Sequence, residues 1–412
     1  MAPLDETFRY DEEYNPLAYL NMLKLSLGLR GANRLFAMSK TRDPFNRGSA
    51  GDFQKARWFR EIWEEFGAPD DGETHVHLRR IHYRTCNAER MVPLWDGAPY
   101  LNTDQCWKKL QEAFVVARVL RYVDAGEFQD RYNKALPTLN QQASEAGGRE
   151  DPAFTVEMPS LSGSLPVAQG AYSLPGVVGW TPLPDPDIEV SGYHYDPVLQ
   201  PNIVEIWSEA EIGSLHRLAE RYNCNYVPLK GFASITAVKE MLVRLERSGK
   251  AGRILYIADH DPAGAFMSVA VARRCHFACW ELEDIAGELA PSIKIDNVAV
   301  TRGQIERLNL PRMPIKESDQ RKGKFELLHG EGAVEVEAML ALHPGELERI
   351  VAERVVELLD MGLASKVSHA SQDARKKVRD AAQQIVSERS ERLDEVARQA
   401  SRSTGRALRK VL

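Results

Sequence analysis

The stretch RILYIADHDPAGAFMSVAVARR, residues 253–274, places two aspartates one residue apart directly after an apolar run. Ile254 to Ala258 are apolar at consecutive positions, which is typical of a strand that is covered on both faces of a parallel sheet. Asp259 and Asp261 therefore fall at the carboxyl end of a predicted strand, where open α/β sheets bind their ligands. Because two close carboxylates repel each other unless a positive charge lies between them, the pattern indicates a divalent cation.

A third carboxylate follows an earlier predicted strand. NIVEIWSE predicts a strand that ends at Glu209, and the chain then continues helix, strand CNYVPLKG, helix, the strand before Asp259, helix, and strand DNVAVT at 296–301. Strands that alternate with helices predict an α/β fold with a parallel sheet and right-handed crossovers. The carboxyl ends of parallel strands share one edge, so we expect Glu209, Asp259 and Asp261 to converge there. Carboxylate ligands suit Mg²⁺, with Mn²⁺ able to substitute.

A structural interpretation of the same acids stays open. Asp259 can cap the helix that follows, which begins near Pro262 and Gly264, while Glu209 pairs with a lysine. Asp-x-Asp alone does not decide between the two interpretations. The matched glutamate two strands upstream favours the metal site.

The remaining segments of the chain differ in composition. Together with the sheet they predict an α+β arrangement overall. FQKARWFREIWEEFGAP predicts a helix with an aromatic inner face, and a second helix has apolar residues on its inner side. Between Pro137 and Pro197 lie nine of the 22 prolines, which indicates a linker. The first inner face consists of Trp58, Phe59, Ile62, Trp63 and Phe66, and the second of Trp107, Leu110, Phe114, Val115 and Ala117. The predicted regions are a 1–50 N-terminal extension, a 51–135 helical winged-helix domain, a 136–200 Pro-rich linker, a 201–362 sheet domain with a C-terminal extension, and a 363–412 basic helix.

Charge and apolar content limit the classes of protein. The net charge is −6, but residues 363–412 hold 12 basic and 6 acidic residues, so a nucleic-acid partner would bind a local basic surface. The thin apolar stripe of that last segment favours docking on a partner element over lying along DNA. The chain contains no run of 18 apolar residues and begins with an acidic segment, which predicts a cytoplasmic protein with no membrane partner. Five cysteines without a Cys-x-x-Cys pair indicate reduced thiols.

The carboxylate pattern resembles that of a known family. Residues 201–301 resemble a Toprim domain, the Rossmann-like domain of topoisomerases, primases and related nucleases, through Glu209, the DHDPAG motif and the turn KGFASITA. Upstream, LRRIHYRTC and YLNTDQCWKKLQEAFVVAR resemble the winged-helix domain that precedes Toprim in the topoisomerase VI A subunit and its meiotic double-strand-break relatives. The resemblance implies a metal site at Glu209, Asp259 and Asp261.

The same resemblance places Tyr83 where the family has its nucleophilic tyrosine, with Arg79 and Arg80 just before it. A phenol has a pKa of about 10, so nearby cations are needed to make it nucleophilic at neutral pH. His82 stands where the family has a first tyrosine, and it is either a proton shuttle or a core histidine. Tyr83 is equally consistent with a packed aromatic side chain. His260 receives no role.

Two groups of basic residues are candidates for contact with DNA phosphates. The first lies in the predicted winged-helix domain, and the second is the loop QRKGKFE, residues 320–326, past the sheet. Winged-helix domains hold DNA largely through phosphate contacts. The first group consists of Arg79, Arg80, Arg84, Arg90, Lys108 and Lys109.

Together these patterns predict Mg²⁺-dependent cleavage of double-stranded DNA, with Tyr83, Glu209, Asp259 and Asp261 as catalytic residues. The resemblance implies a homodimer, because in the family the tyrosine of one subunit meets the metal of the other. It also implies a separate ATPase partner subunit, since the chain has no Gly-x-x-x-x-Gly-Lys-Ser/Thr loop. Two alternatives remain: a metal-only Toprim nuclease of a plasmid- or phage-defence type, and a non-catalytic DNA-binding scaffold.

Overall fold

The computed structural model describes residues 14–36, 38–40, 42–67, 76–124, 137–141, 154–157, 187–190, 195–281 and 292–411. The chain forms two units. The first consists of Met1–Ala143 with Gln200–Leu359, and the second of Ser144–Leu199 with Asp360–Leu412.

A five-stranded, mostly parallel sheet forms the centre of the first unit, which confirms the predicted α/β class. Its spatial order is β1-β5-β4-β6-β7, in which β4, β5, β6 and β7 are parallel neighbours and β1 pairs antiparallel with β5. The strands span Thr138–Leu139 (β1), Asn202–Ser208 (β4), Asn225–Pro228 (β5), Ala251–Ile257 (β6) and Lys294–Ala299 (β7). Two further strands, Phe154–Glu157 (β2) and Asp187–Val190 (β3), belong to the second unit.

Alternate side chains of β4 enter two separate cores, one on each face of the sheet. Val204 and Ile206 join the core that is closed by helices of one face, while Ile203 and Trp207 join the core of the other. This alternation is the two-residue period of a strand, and burial on both faces accounts for its continuous apolar run. The helices of the first face are Gly213–Tyr222 (α5), Arg302–Leu308 (α8), Val336–Leu342 (α10) and Glu346–Leu358 (α11). Those of the second face are Ile235–Ser248 (α6) and Gly264–Glu281 (α7).

One buried ion pair joins β4 to α6. Glu205 is fully buried, and its two carboxylate oxygens accept hydrogen bonds from Arg244 Nε at 2.8 Å and Nη2 at 2.9 Å. Burial by itself raises the pKa of Glu205, but the charge and hydrogen bonds of Arg244 overcome it and hold the pKa below its ordinary value. Asn225 and Trp207 complete the hydrogen bonds of this carboxylate.

Helices precede the sheet. Pro16–Ser26 (α1), Ala50–Phe66 (α2), Leu78–Cys86 (α3) and Asp104–Val119 (α4) lie N-terminal to β1, and α2, α3 and α4 share a core. The predicted aromatic face of α2 is confirmed, since Trp58, Phe59 and Ile62 are buried in that core. The prediction that Val115 lies on the inner face of α4 is wrong. Val115 is 47% exposed, because the buried face of α4 is formed by residues that include Leu110, Ala113, Val116 and Ala117.

The segment before α2 packs on α7. The Arg273 guanidinium forms a buried ion pair with Asp43, with Nε 3.0 Å from Oδ2, and donates to the Leu35 carbonyl at 3.0 Å. Phe45 and Phe277 pack edge to face beside this pair, with ring centroids 5.1 Å apart. The first unit therefore includes both the N-terminal helices and the sheet.

In the second unit, β2 pairs antiparallel with β3, so the region predicted as a linker contains a short ladder. The long helix Leu363–Val411 (α12) matches the predicted C-terminal helix and contacts β3. Among its described side chains, Ala374 and Ala382 are buried, while Ile385 and Val396 are exposed. Lys322–His329 (α9) belongs to the first unit. Among the described helices, none is both long enough and apolar enough to cross a membrane. All five cysteines carry free thiols.

Candidate metal site at the carboxyl edge of the sheet

The structure brings Glu209 and Asp259 together as the sequence predicts. Strands β4 and β6 are adjacent and parallel, with Ser208 paired to Ile257, so the residues that follow them leave the sheet at the same edge. The Glu209 N–H donates to the Ile257 carbonyl at 2.9 Å. The Asp259 N–H in turn donates to Glu209 Oε2 at 3.2 Å, which fixes the glutamate beside the aspartate.

The two aspartates have different local roles. Asp259 Oδ1 accepts a hydrogen bond from the Val336 N–H at 2.8 Å, at the start of α10. Asp261 Oδ1 accepts from the N–H groups of Ala263 and Gly264 at 2.8 and 2.6 Å, so Asp261, and not Asp259, caps the next helix. A Cβ at Gly264 would lie 2.0 Å from the Asp259 carbonyl oxygen, which is why glycine is required there.

A cavity of about 310 Å³ opens between these loops. Glu209 and Asp259 line it together with Glu337 of α10 and Glu211, whereas Asp261 does not. Among the described residues that line the cavity, Lys230 is the only basic one. Glu337 was not predicted as a site residue, because α10 is distant in sequence from the strands that carry the other acids. Its only sequence signal is the Glu-x-Glu spacing of EVEAM.

The cavity concentrates negative charge, because four acidic residues and one basic residue, Lys230, are among the described residues that line it. Burial, together with the neighbouring charges of Asp259, Asp261 and Glu337, raises the pKa of Glu209 to about 7, although the hydrogen bond from the Asp259 N–H opposes the shift. Burial likewise raises the pKa of Asp259 to about 6, with added repulsion from Glu337 and Asp261. Within the described parts of the chain, no basic side chain forms an ion pair with Glu209, Asp259 or Asp261.

The donor set fits a hard cation in kind. Glu209 Oε1, Asp259 Oδ2 and Asp261 Oδ2 accept no hydrogen bond from any described residue, so each acid keeps one oxygen for a ligand. Carboxylate oxygens with room for water are the ligands that Mg²⁺ prefers. In the residues that the structure describes, no group of three or more His, Cys, Asp or Glu side chains has the arrangement of a formed metal site.

Tyr83 lies elsewhere in the first unit. It is on α3, its residue is 49% exposed, and it is not among the described residues that line the carboxylate cavity. The adjacent His82 is buried, with Nδ1 2.6 Å from the Tyr100 hydroxyl and Nε2 3.2 Å from Asn102 Oδ1. Since both ring nitrogens are engaged, His82 occupies a core position.

Some of the residues predicted to contact DNA have exposed side chains, and others have side chains that bind groups of the protein itself. Lys108 and Arg79 are exposed, and the Arg79 guanidinium lies over the Trp107 ring at 5.4 Å. Arg84 donates to the Phe66 carbonyl at the end of α2 at 3.1 Å, and Lys109 pairs with Asp96 at 2.7 Å. Arg80, on the same helix, is half-buried, and Arg90 pairs with Glu65.

His260 points away from the carboxylates. It is buried against Phe325 and His329, with its Nδ1 3.2 Å from the Val300 carbonyl oxygen, and burial lowers its pKa.

No protein-family model matches the chain, and no curated protein sequence matches it.

Proposed function

We propose that this protein cleaves DNA strands with Mg²⁺ held at the carboxylate cavity, in a Toprim-like arrangement that follows a winged-helix-like helical region. One observation carries the proposal. Glu209 and Asp259 follow adjacent parallel strands, the Asp259 N–H donates to Glu209 Oε2, and burial together with repulsion between neighbouring acids raises their pKa values to about 7 and 6. A site of this kind is electrostatically complementary to a divalent cation.

The chain would contribute binding and orientation. The free oxygens of Glu209, Asp259 and Asp261 would hold the cation, and the Val336 N–H keeps Asp259 in place by its hydrogen bond. Lys230, exposed at the rim, would contact a phosphate that approaches the cavity. Bound magnesium supplies charge neutralisation at the phosphodiester and stabilisation of the leaving oxygen.

In the first form of the proposal, Tyr83 is the nucleophile. Its phenol oxygen would lose its proton and form a bond to phosphorus while the bond from phosphorus to the leaving sugar oxygen breaks, which conserves a phosphotyrosyl link for religation. Because Tyr83 does not line the cavity of its own chain, the tyrosine would come from a second copy in a homodimer on double-stranded DNA. A separate ATPase subunit would drive strand passage.

A second candidate is a metal-dependent nuclease in which water replaces the tyrosine. The observation that favours it is the engagement of His82 by Tyr100 and Asn102, which leaves Tyr83 without a neighbouring base on α3. The carboxylate cavity serves both forms equally. They differ only in whether a covalent protein–DNA adduct forms.

Plasmid cleavage in Mg²⁺, followed by detergent trapping of adducts, tests the proposal and separates its forms. We expect Glu209→Gln and Asp259→Asn each to reduce nicking at least about a hundredfold, since each removes a charged ligand. Glu306→Gln, an exposed glutamate on α8, is the matched control and should cleave normally. Adducts that disappear in Tyr83→Phe but persist in Tyr222→Phe assign the tyrosine, whereas full cleavage without adducts assigns the water mechanism. Undiminished cleavage in Glu209→Gln and Asp259→Asn would refute both forms.

A further inference from the structure

A second, larger cavity lies beside the carboxylate edge. Its volume is about 870 Å³, within the size range of sites that enclose small organic ligands. Three aromatic rings and four cationic side chains, one of which is paired with Asp319, contribute to its lining: Phe36, Phe232, Phe266, Arg42, Lys316, Lys324 and the paired Arg321. We call it the aromatic–basic pocket.

The aromatic rings of this pocket offer flat apolar surfaces. All three phenylalanines are half-buried, so one part of each ring is fixed by packing and another part faces the cavity. The Arg42 guanidinium lies 5.3 Å from the centroid of Phe232, and Lys324 Nζ lies 5.9 Å from the centroid of Phe266. An aromatic ring with a cation beside it is the arrangement that proteins use to stack a nucleobase and hold its phosphate.

The cations of the pocket are available to an anionic ligand. Arg42, Lys316 and Lys324 are exposed, and none of them forms an ion pair with an acid in the part of the chain that the structure describes. Arg321 differs, because Asp319 holds it at 2.7 Å. The pocket therefore carries positive charge that its own protein residues leave unbalanced, directly next to a cavity with the opposite charge.

Short covalent connections join the two cavities. Lys230 and Gly231 line the carboxylate cavity, and the next residue, Phe232, lines the aromatic–basic pocket. On the other side, Asp259 lines the carboxylate cavity, and Phe266, near the start of the helix that follows it, lines the aromatic–basic pocket. If a phosphate of a nucleic-acid strand reached the carboxylates, a neighbouring nucleotide of that strand would lie across the aromatic rings.

We propose that the aromatic–basic pocket binds an unpaired nucleotide, with the base stacked on the rings of both Phe232 and Phe266 and the phosphates held by Arg42, Lys316 and Lys324. Duplex bases are stacked on both faces and paired, so only an unpaired nucleotide can present its base to these rings. We assign the nucleotide to a nucleic-acid strand. That this strand is the one cut at the carboxylate cavity rests on the proposed function, whereas the binding itself does not.

Fluorescence anisotropy of a labelled oligothymidylate, measured in EDTA, tests the pocket without any cleavage. We expect Phe232→Ala and Phe266→Ala each to weaken binding about tenfold, the loss typical of one stacking contact, and Phe232→Trp to retain it. Lys324→Ala should weaken binding and flatten its salt dependence. Lys294→Ala is the matched control, since Lys294 is exposed at the amino end of β7 and does not line the pocket.

The comparison ligands are thymidine monophosphate, inorganic phosphate and a duplex of the same length. Competition by the monophosphate at the same concentration as the strand would assign the pocket to free nucleotides and overturn the strand assignment. Tighter binding of the duplex, or equal binding by the Lys316→Glu/Lys324→Glu variant and the wild type, would overturn the pocket altogether. Because both lysines are exposed, that variant should fold normally. Binding is measured in EDTA and cleavage in Mg²⁺, so a failure of the cleavage proposal and a failure of the pocket give different results.

Discussion

At the scale of single residues, Glu209 and Asp259 show how a strand edge concentrates charge. Each sits half-buried at the end of a parallel strand, and each keeps its proton to a higher pH than an exposed acid does. Their ionisation is therefore coupled to folding and to any cation that binds them.

We expect the site to destabilise the metal-free protein as the pH rises. The folded-state pKa of Glu209 is about 7 against an ordinary value of 4.5, so the folded state binds more protons between these values and stability falls as the pH rises through that window. Glu209→Gln should remove this penalty and raise the stability at pH 8 by about 1 kcal/mol, after allowance for solvent screening of a half-buried group. At pH 4.5 the variant and the wild type should melt together. Thermal melts in EDTA at the two pH values measure the difference, and a variant that is destabilised at pH 8 would contradict the charge argument.

Binding of Mg²⁺ should stabilise the folded protein, whereas ionisation of the same carboxylates without Mg²⁺ destabilises it. Its binding requires ionised carboxylates, so the increase in melting temperature on adding Mg²⁺ should be larger at pH 8 than at pH 5.5 and absent in Glu209→Gln with Asp259→Asn. Differential scanning fluorimetry with Ca²⁺ and Mn²⁺ alongside measures this effect. An Mg²⁺ shift that is independent of pH, or one that persists in the double variant, would place the cation elsewhere.

At the scale of elements, the edge exists because β4 and β6 are neighbours that are covered on both faces. The pairing of Glu205 with Arg244 ties β4 to α6 inside one of the two cores. Neither the strand nor the helix could bury its charge alone, since an isolated buried charge costs several kcal/mol.

Arg244→Met should therefore destabilise the protein by about 3–5 kcal/mol, because it leaves the carboxylate of Glu205 buried without a partner. Adding Glu205→Leu to that variant should restore part of the loss. Arg302→Met is the matched control, since Arg302 forms an exposed pair with Glu306 and should cost less than about 1 kcal/mol. Urea unfolding followed by circular dichroism gives the three values, and equal losses for Arg244→Met and Arg302→Met would contradict the importance of burial.

At the scale of the whole molecule, the tyrosine form of the proposed function makes a composite site from two copies. Mixing Tyr83→Phe with Glu209→Gln should restore adduct formation, because a mixed dimer contains one intact pair of tyrosine and carboxylates. With random exchange of subunits, about a quarter of the wild-type sites should recover. Detergent trapping after subunit exchange measures the adducts. Each variant alone serves as the control, and a mixture as inactive as its parts would exclude a shared site.

The sequence by itself determined the four parallel strands β4, β5, β6 and β7, their order along the chain and the rim position of Glu209 and Asp259. Apolar runs bounded by charge specify a strand through local periodicity, and consecutive parallel strands share an edge whatever surrounds them. The aromatic face of α2 and the C-terminal helix were predictable for the same reason, since both are repeating patterns within one element.

Only the tertiary structure decided which distant residues join those elements. The carboxylate cavity, which includes Glu337 and Lys230, and the aromatic–basic pocket are both formed by residues from separate loops and helices. No local sequence period indicates which of these residues lie together. The same holds for Arg273 and Asp43, an ion pair that spans 230 positions. The core position of His82 was likewise decided by Tyr100 and Asn102, which approach it from another segment. Local patterns reflect the conformational preferences of a short segment, whereas a site depends on packing between segments, which a single sequence encodes only through the complete fold.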